Sequence, residues 1–497
     1  MIRGVDFEAL AVWGEQQQVW DVASGKSGIS SAAIETPLAA LASCRLTPHT
    51  LRSLGTPLFF SFIELRDPWA TSYERAQPFE ARAKALKQIL NINDIAASVQ
   101  TLTLGSRKKH LEKSINGTLI SEILHRVPHI RKFVLQSEEG SLDFSSISED
   151  LASTILALGR SPDIKTLELS NIHLFPTTVV TAYSNLRCLR LWQIGFCVKC
   201  IFSLLSAIIN STSQFDLKNV NPMGQTSLDS LHINDGSVSS FRSSISGDIS
   251  FATYFSRIKN LQLDNVLYNV FLDGTSCFWL QKLLQHSIFS TTAKVGFTFN
   301  LWYTTHNKAV PVDPTELPNV PSAVPFDLGP FPALRHVKIQ QRCWSGDNST
   351  MLFFLNRLLS ISSSTSGIET LEIKINWVDV EHGHARDLFP SSAGWSRLDE
   401  TLACDNFVSL KKVVLNLVLG MEVALFGRNR YPQGLRAEAD LIVSCLDALF
   451  LNLKLRNQCT VQILFDISLI PSSFLKLPKS PHKHIKEKLA KLVCQGV

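Results

Sequence analysis

The sequence predicts an α/β chain: an irregular solenoid in which a curved parallel sheet carries helices on its outer side, with a small helical piece at the N-terminal end. Three observations carry this. A strand-like signature, apolar-x-x-L-x-L, recurs along most of the chain. It is clearest in Ile164-Lys165-Thr166-Leu167-Glu168-Leu169-Ser170-Asn171-Ile172, answered by Leu186-Arg187-Cys188-Leu189-Arg190-Leu191-Trp192-Gln193-Ile194. Segments with apolar residues at helical spacing separate the copies. The composition, 45% hydrophobic against 18% charged, suits a chain that buries much of its length.

Residues 1–36 compel no fold. Phe7, Leu10, Trp13 and Trp20 have the spacing of a short amphipathic helix, and a Ser/Gly/Ala stretch after them reads as linker. Gly25-Lys26-Ser27 resembles the end of a phosphate loop, but Trp20 stands where the first glycine of that loop belongs, so linker is the reading kept. Residues 37–97 begin with helical composition from Leu38 to Leu46. Pro48 then opens a second helical turn through Leu51 and Leu54, and Pro57 to Leu65 reads as a strand. Arg82 to Ile95 is expected to form one helix leading into the strand-like Val99-Gln100-Thr101-Leu102-Thr103-Leu104.

From residue 98 to 475 the signature alternates with helices. Ile130 to Leu135 follows the helical Leu119 to Val127; Ile164 follows Leu151 to Leu158; Leu186 follows Val179 to Tyr183. Cys197 to Ile209 reads as an apolar, buried helix. Later copies start at Leu228, Ile258, Leu334, Ile368 and Leu410, and Val461 to Phe465 is the expected last strand. The spacing is that of a leucine-rich-repeat core. Steps of 31, 34 and 22 residues between successive copies from Val99 to Leu186 make the period irregular. A single unit of about 30 residues cannot close a core, so neighbours must cover it. Seven prolines between Tyr303 and Pro332 mark a surface loop inserted into the array.

Residues 38–470 resemble the F-box-like proteins with degenerate leucine-rich repeats found in mushroom-forming fungi. The resemblance rests on Leu41 through Leu65, then Arg82-Ala83-Lys84-Ala85-Leu86, then Ser98 to Leu104. It implies a partial F-box whose Leu41, Leu46, Leu54, Pro57 and Leu58 contact a Skp1-type adaptor of a cullin ubiquitin ligase, and repeats that hold a protein substrate. The Leu-Pro-x-Glu-like start of an F-box has no counterpart in Val19 to Ile34. A truncated family member, acting as a repeat-only binding scaffold outside any ligase, is the alternative.

Charge and chemistry narrow the function classes. Lys476, Lys479, Lys483, Lys486, Lys488 and Lys491 against Glu487 put the whole +5 excess into residues 476–497, which read as a basic tail or capping helix with Ile485, Leu489 and Leu492 on one face. The rest is balanced, so no nucleic-acid partner is expected. No apolar run reaches the roughly 18 residues of a membrane span, and no leader opens the chain, which points to cytoplasm or nucleus, and to a monomer. The ten cysteines lie mostly in apolar runs and read as reduced. Cys197-x-x-Cys200 lacks a second pair for zinc and reads as two buried thiols. His382-Gly383-His384, with Glu381 and Asp387, is the best metal-like cluster, and it reads as a polar loop without a third ligand in view. No glycine-serine elbow, zinc-helix or dinucleotide-loop motif is present. No catalytic residue, metal or cofactor is expected; a metal-dependent hydrolase built on the 303–332 loop and the His382 region is the remaining alternative.

Overall fold

The computed structural model describes residues 60–66, 79–91, 93–112, 114–138, 140–197, 228–267, 283–284, 286–300, 328, 331–344, 355, 359, 367–380, 393–422, 450–455 and 459–470. They fall into two compact units that divide between Ser227 and Leu228. Each is an α/β structure on a parallel sheet whose strands follow one another in chain order.

In unit 1, β1 (Phe62–Arg66) leads through α1 (Phe79–Ile89) and α2 (Asn93–Ser98) to β2 (Thr101–Ser106). Then come α3 (Lys108–Leu111), α4 (Ser114–Arg126), β3 (Lys132–Ser137), the two-residue β4 (Leu142–Asp143), α5 (Glu149–Leu158), β5 (Thr166–Pro176), α6 (Thr177–Ala182) and β6 (Cys188–Cys197). The sheet order is β1-β2-β3-β5-β6, each pair parallel, with β4 on the later part of β5. Parallel neighbours need a crossover, and a helix supplies it in each of these connections.

Register explains why the apolar-x-x-L-x-L signature forms this sheet. Ile63, Leu102, Phe133, Leu167 and Leu189 stack in one row, and Leu65, Leu104, Leu135, Leu169 and Leu191 in the next. All ten side chains are at most 2% exposed. The first apolar residue of each copy, Val99, Ile130, Ile164 or Leu186, is equally buried before the strand begins. Helices supply the matching side of the core: Phe79, Ala83 and Leu86 from α1, Ile120, Ile123 and Leu124 from α4, Leu151, Ala152 and Ile155 from α5. A fully buried Leu or Phe contributes about 1.5–3 kcal/mol relative to exposure, so this continuous ladder is the main stabilising feature.

The leading pair of motifs meets face to face. Leu167 lies opposite Leu189, Leu169 opposite Leu191, and Ile172 opposite Ile194. Between the last two rows Asn171 and Gln193 take positive φ, 57° and 54°, which turns the next residue back into the core. Asn171 suits this conformation and its Nδ2 donates to the Ser137 carbonyl at 2.8 Å. Beyond the bend, Phe144 packs edge-on against Phe175 and Phe175 against Phe196.

Unit 2 repeats the scheme with β7 (Ser230–Asn234), α7 (Asp235–Gly247), α8 (Ile249–Tyr254), β8 (Asn260–Leu267), β9 (Lys294–Asn300), β10 (His336–Trp344), β11 (Thr370–Val380), α9 (Ala393–Ala403), β12 (Lys412–Glu422), α10 (Leu451–Leu455) and β13 (Thr460–Ile470). All neighbours are parallel and in chain order. Its inward rows read Leu231-Leu261-Val295-Val337-Leu371-Val413-Val461 and Ile233-Leu263-Phe297-Ile339-Ile373-Leu415-Ile463. In the next inward row Gln341 stands beside Ile375, with Leu417 one strand further on; it is fully buried, and among the described residues neither end of its amide has a hydrogen-bond partner. Burying an unpaired amide costs about 1–3 kcal/mol. Gln341→Leu is therefore expected to raise the unfolding free energy by about 1–3 kcal/mol, read as a higher midpoint in urea.

Several expectations need correcting. The helix over Arg82 to Ile95 is two helices, because the chain turns at Leu90 and Asn91 before α2 starts at Asn93; asparagine side chains compete with helix and favour such breaks. Cys197 does not open a helix but ends β6, half-buried and disulfide-bonded, so it is not the reduced, buried thiol expected. Its bonded partner and Cys200 lie outside the described side chains. β1 lies in the 37–97 interval and pairs with β2, so this part of the interval belongs to the sheet of unit 1. Leu41, Leu46, Leu54, Pro57 and Leu58 lie outside the described residues, as do residues 1–36, His382, His384 and the 476–497 tail. Of the 303–332 interval, Leu328, Phe331 and Pro332 are described; the first two are buried and Pro332 is exposed.

Candidate functional site

The same register that buries one side of each sheet lays out the other. In apolar-x-x-L-x-L, the first x precedes the strand and lies on a rim, while the second and third point to the face away from the core. In unit 1 this open face has three rows: Phe62-Thr101-Lys132-Thr166-Cys188, Glu64-Thr103-Val134-Glu168-Arg190, and Arg66-Gly105-Gln136-Ser170-Trp192. Most of its central side chains are small, so the large ones at its margins stand out. Trp192 is 38% exposed and Phe62 44%. Glu168 sits between two cations, its Oε2 3.0 Å from Lys132 Nζ and 3.7 Å from Arg190 Nη1.

Cys188 shares this face, but burial pushes its thiol up despite the nearby Arg190, so it is a poor thiolate nucleophile at neutral pH. The arrangement offers an exposed tryptophan and arginine on one strand above a polar, hydrogen-bonding floor. Such residues act as anchors in protein interfaces.

The open face of unit 2 is polar and more strongly basic. Its rows are Ser230-Asn260-Lys294-His336-Thr370-Lys412-Thr460 and His232-Gln262-Gly296-Lys338-Glu372-Val414-Gln462, followed by Asn234-Asp264 and Thr298-Gln340-Lys374-Asn416-Leu464, which a register shift separates and the Thr298 hydroxyl links by donating to Asp264 Oδ1 at 3.2 Å. Lys338 Nζ donates to Glu372 Oε1 at 2.6 Å. Gln262 Nε2 donates to Asp264 Oδ1 and Thr298 Oγ1 at 3.1 and 3.2 Å. Gly296 makes this possible, since a Cβ there would fall 1.9 Å from Gln262 Oε1.

His336 lies 3.7 Å from the other Glu372 oxygen, yet its pKa is lowered, first by burial and then by the charge of Lys294, which together outweigh Glu372. Protonation thus favours the unfolded chain. The stability tied to neutral His336 is complete above the ordinary histidine range and is lost as pH falls through that range to the depressed value. His336→Asn is expected to flatten this part of a melting-temperature profile against pH, and an NMR titration should find His336 below an ordinary histidine.

Among the described residues no group of three His, Cys, Asp or Glu is placed to hold a metal ion, and no helix is long and apolar enough to cross a membrane. No protein-family model and no curated protein matches this chain. The open faces are therefore interpreted from their own chemistry. The strand-like signature holds Arg190 and Trp192 but not the β9 residues Lys294, Gly296 and Thr298, and register is what separates Arg190 and Trp192 from Leu189 and Leu191.

Proposed function

We propose that this chain is a protein–protein interaction scaffold whose partner docks on the open face of the unit 1 sheet. The observation that carries the reading is the combination of exposed Trp192 and Arg190 with a floor of Thr101, Thr166 and Ser170, on the face away from the leucine rows of the core. Aromatic and arginine side chains that are only partly covered in the free protein gain most from desolvation by a partner. Strand–helix units in chain order support a binding role, because each open-face position can vary without disturbing the core behind it.

The resemblance of residues 38–470 to F-box-like fungal proteins extends the proposal. In that reading the chain, as a monomer in the cytoplasm or nucleus, is a substrate receptor that presents a bound protein to a Skp1-cullin ubiquitin ligase and itself transfers nothing. Affinity capture of the tagged chain tests both parts. The ligase role expects a Skp1-type adaptor in the complex, lost on replacing Leu41, Leu46 and Leu58 with Asp; absence of the adaptor from the wild-type complex removes that role. The scaffold role expects a recurrent partner that Trp192→Ala with Arg190→Ala reduces about tenfold or more, at an unchanged melting temperature. A partner retained by that variant refutes the placement on unit 1.

A further inference from the structure

The two units carry the same repeat position with different charge balance. In unit 2 the residues preceding the strands are Asp229, Lys259, Ala293, Arg335, Glu369 and Lys411, stacked by backbone hydrogen bonds such as Lys259 N–H to the Asp229 carbonyl and Lys411 N–H to that of Glu369. Two acids stand among its three cations, and each cation has a carboxylate beside it. Lys259 lies 3.2 Å from Asp229, Arg335 3.7 Å from Glu369 and Lys411 2.9 Å from Glu369. The hydrogen bond and charge of Lys411 hold the Glu369 carboxyl below the usual range.

In unit 1 the corresponding row is Gln100, Arg131, Lys165 and Arg187, built by the same bonds: Arg131 N–H to Gln100, Lys165 N–H to Arg131 and Arg187 N–H to Lys165. It contains three consecutive cations and no acid. Arg131 and Arg187 are exposed and, among the described residues, make no ion pair; the Lys165 ammonium donates to the Pro162 carbonyl at 2.8 Å. Two acids of the neighbouring chain positions are engaged elsewhere, Asp163 with His129 at 3.0 Å and Glu168 between Lys132 and Arg190. Adjacent strands lie about 4.8 Å apart, and like charges on neighbouring strands destabilise a sheet. The unit 2 row shows how that repulsion is relieved within the fold. In unit 1 no described residue supplies that relief.

We infer that the Arg131-Lys165-Arg187 rim binds an acidic, extended segment of a protein partner. This rests on the reading of the adjoining open face as a docking surface and names the chemistry of what docks there. The rim spans about 10 Å across three strands, and an extended chain places alternate side chains about 6.6 Å apart, so two or three carboxylates match it. A nucleic-acid backbone needs a broader positive field, whereas the surface beside this rim mixes Lys132 and Arg190 with Glu64, Glu168 and exposed Trp192.

The test is fluorescence anisotropy of the full chain with a fluorescein-labelled oligo-glutamate peptide, and with an oligothymidylate of equal charge as competitor class. The wild type is compared with Arg131→Glu/Lys165→Glu/Arg187→Glu, with the milder triple Gln variant, and with Lys259→Glu/Lys411→Glu in unit 2. Circular dichroism checks folding of each. Expected are peptide binding that weakens about tenfold or more in both rim variants, falls with salt, and is unchanged in the unit 2 variant. No binding by the wild type, equal binding by the rim variants, or tighter binding of oligothymidylate overturns the inference. Partner capture separates the two ideas. If the rim variants keep a partner that Trp192→Ala/Arg190→Ala loses, the scaffold reading stands and the acidic-segment inference falls.

Discussion

Leu191→Ala is expected to cost about 2–5 kcal/mol of stability, while Arg190→Ala, one residue earlier on β6, costs less than about 0.5 kcal/mol. The contrast follows from the sheet having one buried and one open side. Leu191 is 2% exposed and closes the inward row that runs through Leu65, Leu104, Leu135 and Leu169. Truncating it removes apolar contact and leaves a cavity that the hydrogen-bonded strands beside it relax into poorly. Arg190 lies on the opposite side, half in solvent, 3.7 Å from a carboxylate that Lys132 still neutralises. Urea denaturation of both variants measures the difference. Similar costs for the two would mean that both sides of β6 are buried.

Asp399→Ala is expected to cost about 2–4 kcal/mol. Asp399 is a buried residue of α9 whose carboxylate accepts the Asn452 N–H at 2.8 Å and the Leu453 N–H at 3.0 Å, in the first turn of α10. Those amides have no acceptor within their own helix, and a negative charge there also meets the positive end of the helix dipole. The chain enters α10 through Phe450, buried at a φ of 59° and packed edge-on to Trp395 of α9. A bulky side chain in that conformation costs about 1–2 kcal/mol, so the seat depends on the bonds that Asp399 supplies. Asp399→Asn, which keeps one acceptor oxygen, should fall between Ala and wild type. Exposed Glu400, its neighbour, should tolerate Ala within about 0.5 kcal/mol. Thermal melts of the three variants give the ranking, and equal behaviour of Asp399→Ala and Glu400→Ala would contradict it.

The strands were legible in the sequence wherever leucine or isoleucine marked both inward rows. Ile164 to Ile172 and Leu186 to Ile194 lie side by side as parallel strands, and their short 22-residue step reflects the six-residue α6 between them. β9 was missed for a physical reason. Its inward residues are Val295 and Phe297, with Gly296 between them, so leucine spacing is absent although the alternation is present. β4 is two residues long and carries no periodicity at all. The break between α1 and α2 also left no strong mark, because apolar residues continue at helical spacing through Leu90 and Ile95.

The candidate surface was legible only in part. Nothing in the composition distinguishes Arg131, Lys165 and Arg187 from other scattered bases, since their meaning comes from stacking on adjacent strands. The long-range bond from Asp399 to α10 spans more than fifty residues and has no local pattern to announce it.

The central claim is that the partner meets the open face of unit 1, and site-specific photocrosslinking tests it most directly. A photoreactive residue placed at Ser170, on the open face beside Trp192, is compared with one at exposed Glu149 on α5, across the core. The account predicts a covalent adduct with the captured partner from Ser170 and none from Glu149. An adduct from Glu149 with none from Ser170 would place the partner on the helices and contradict it.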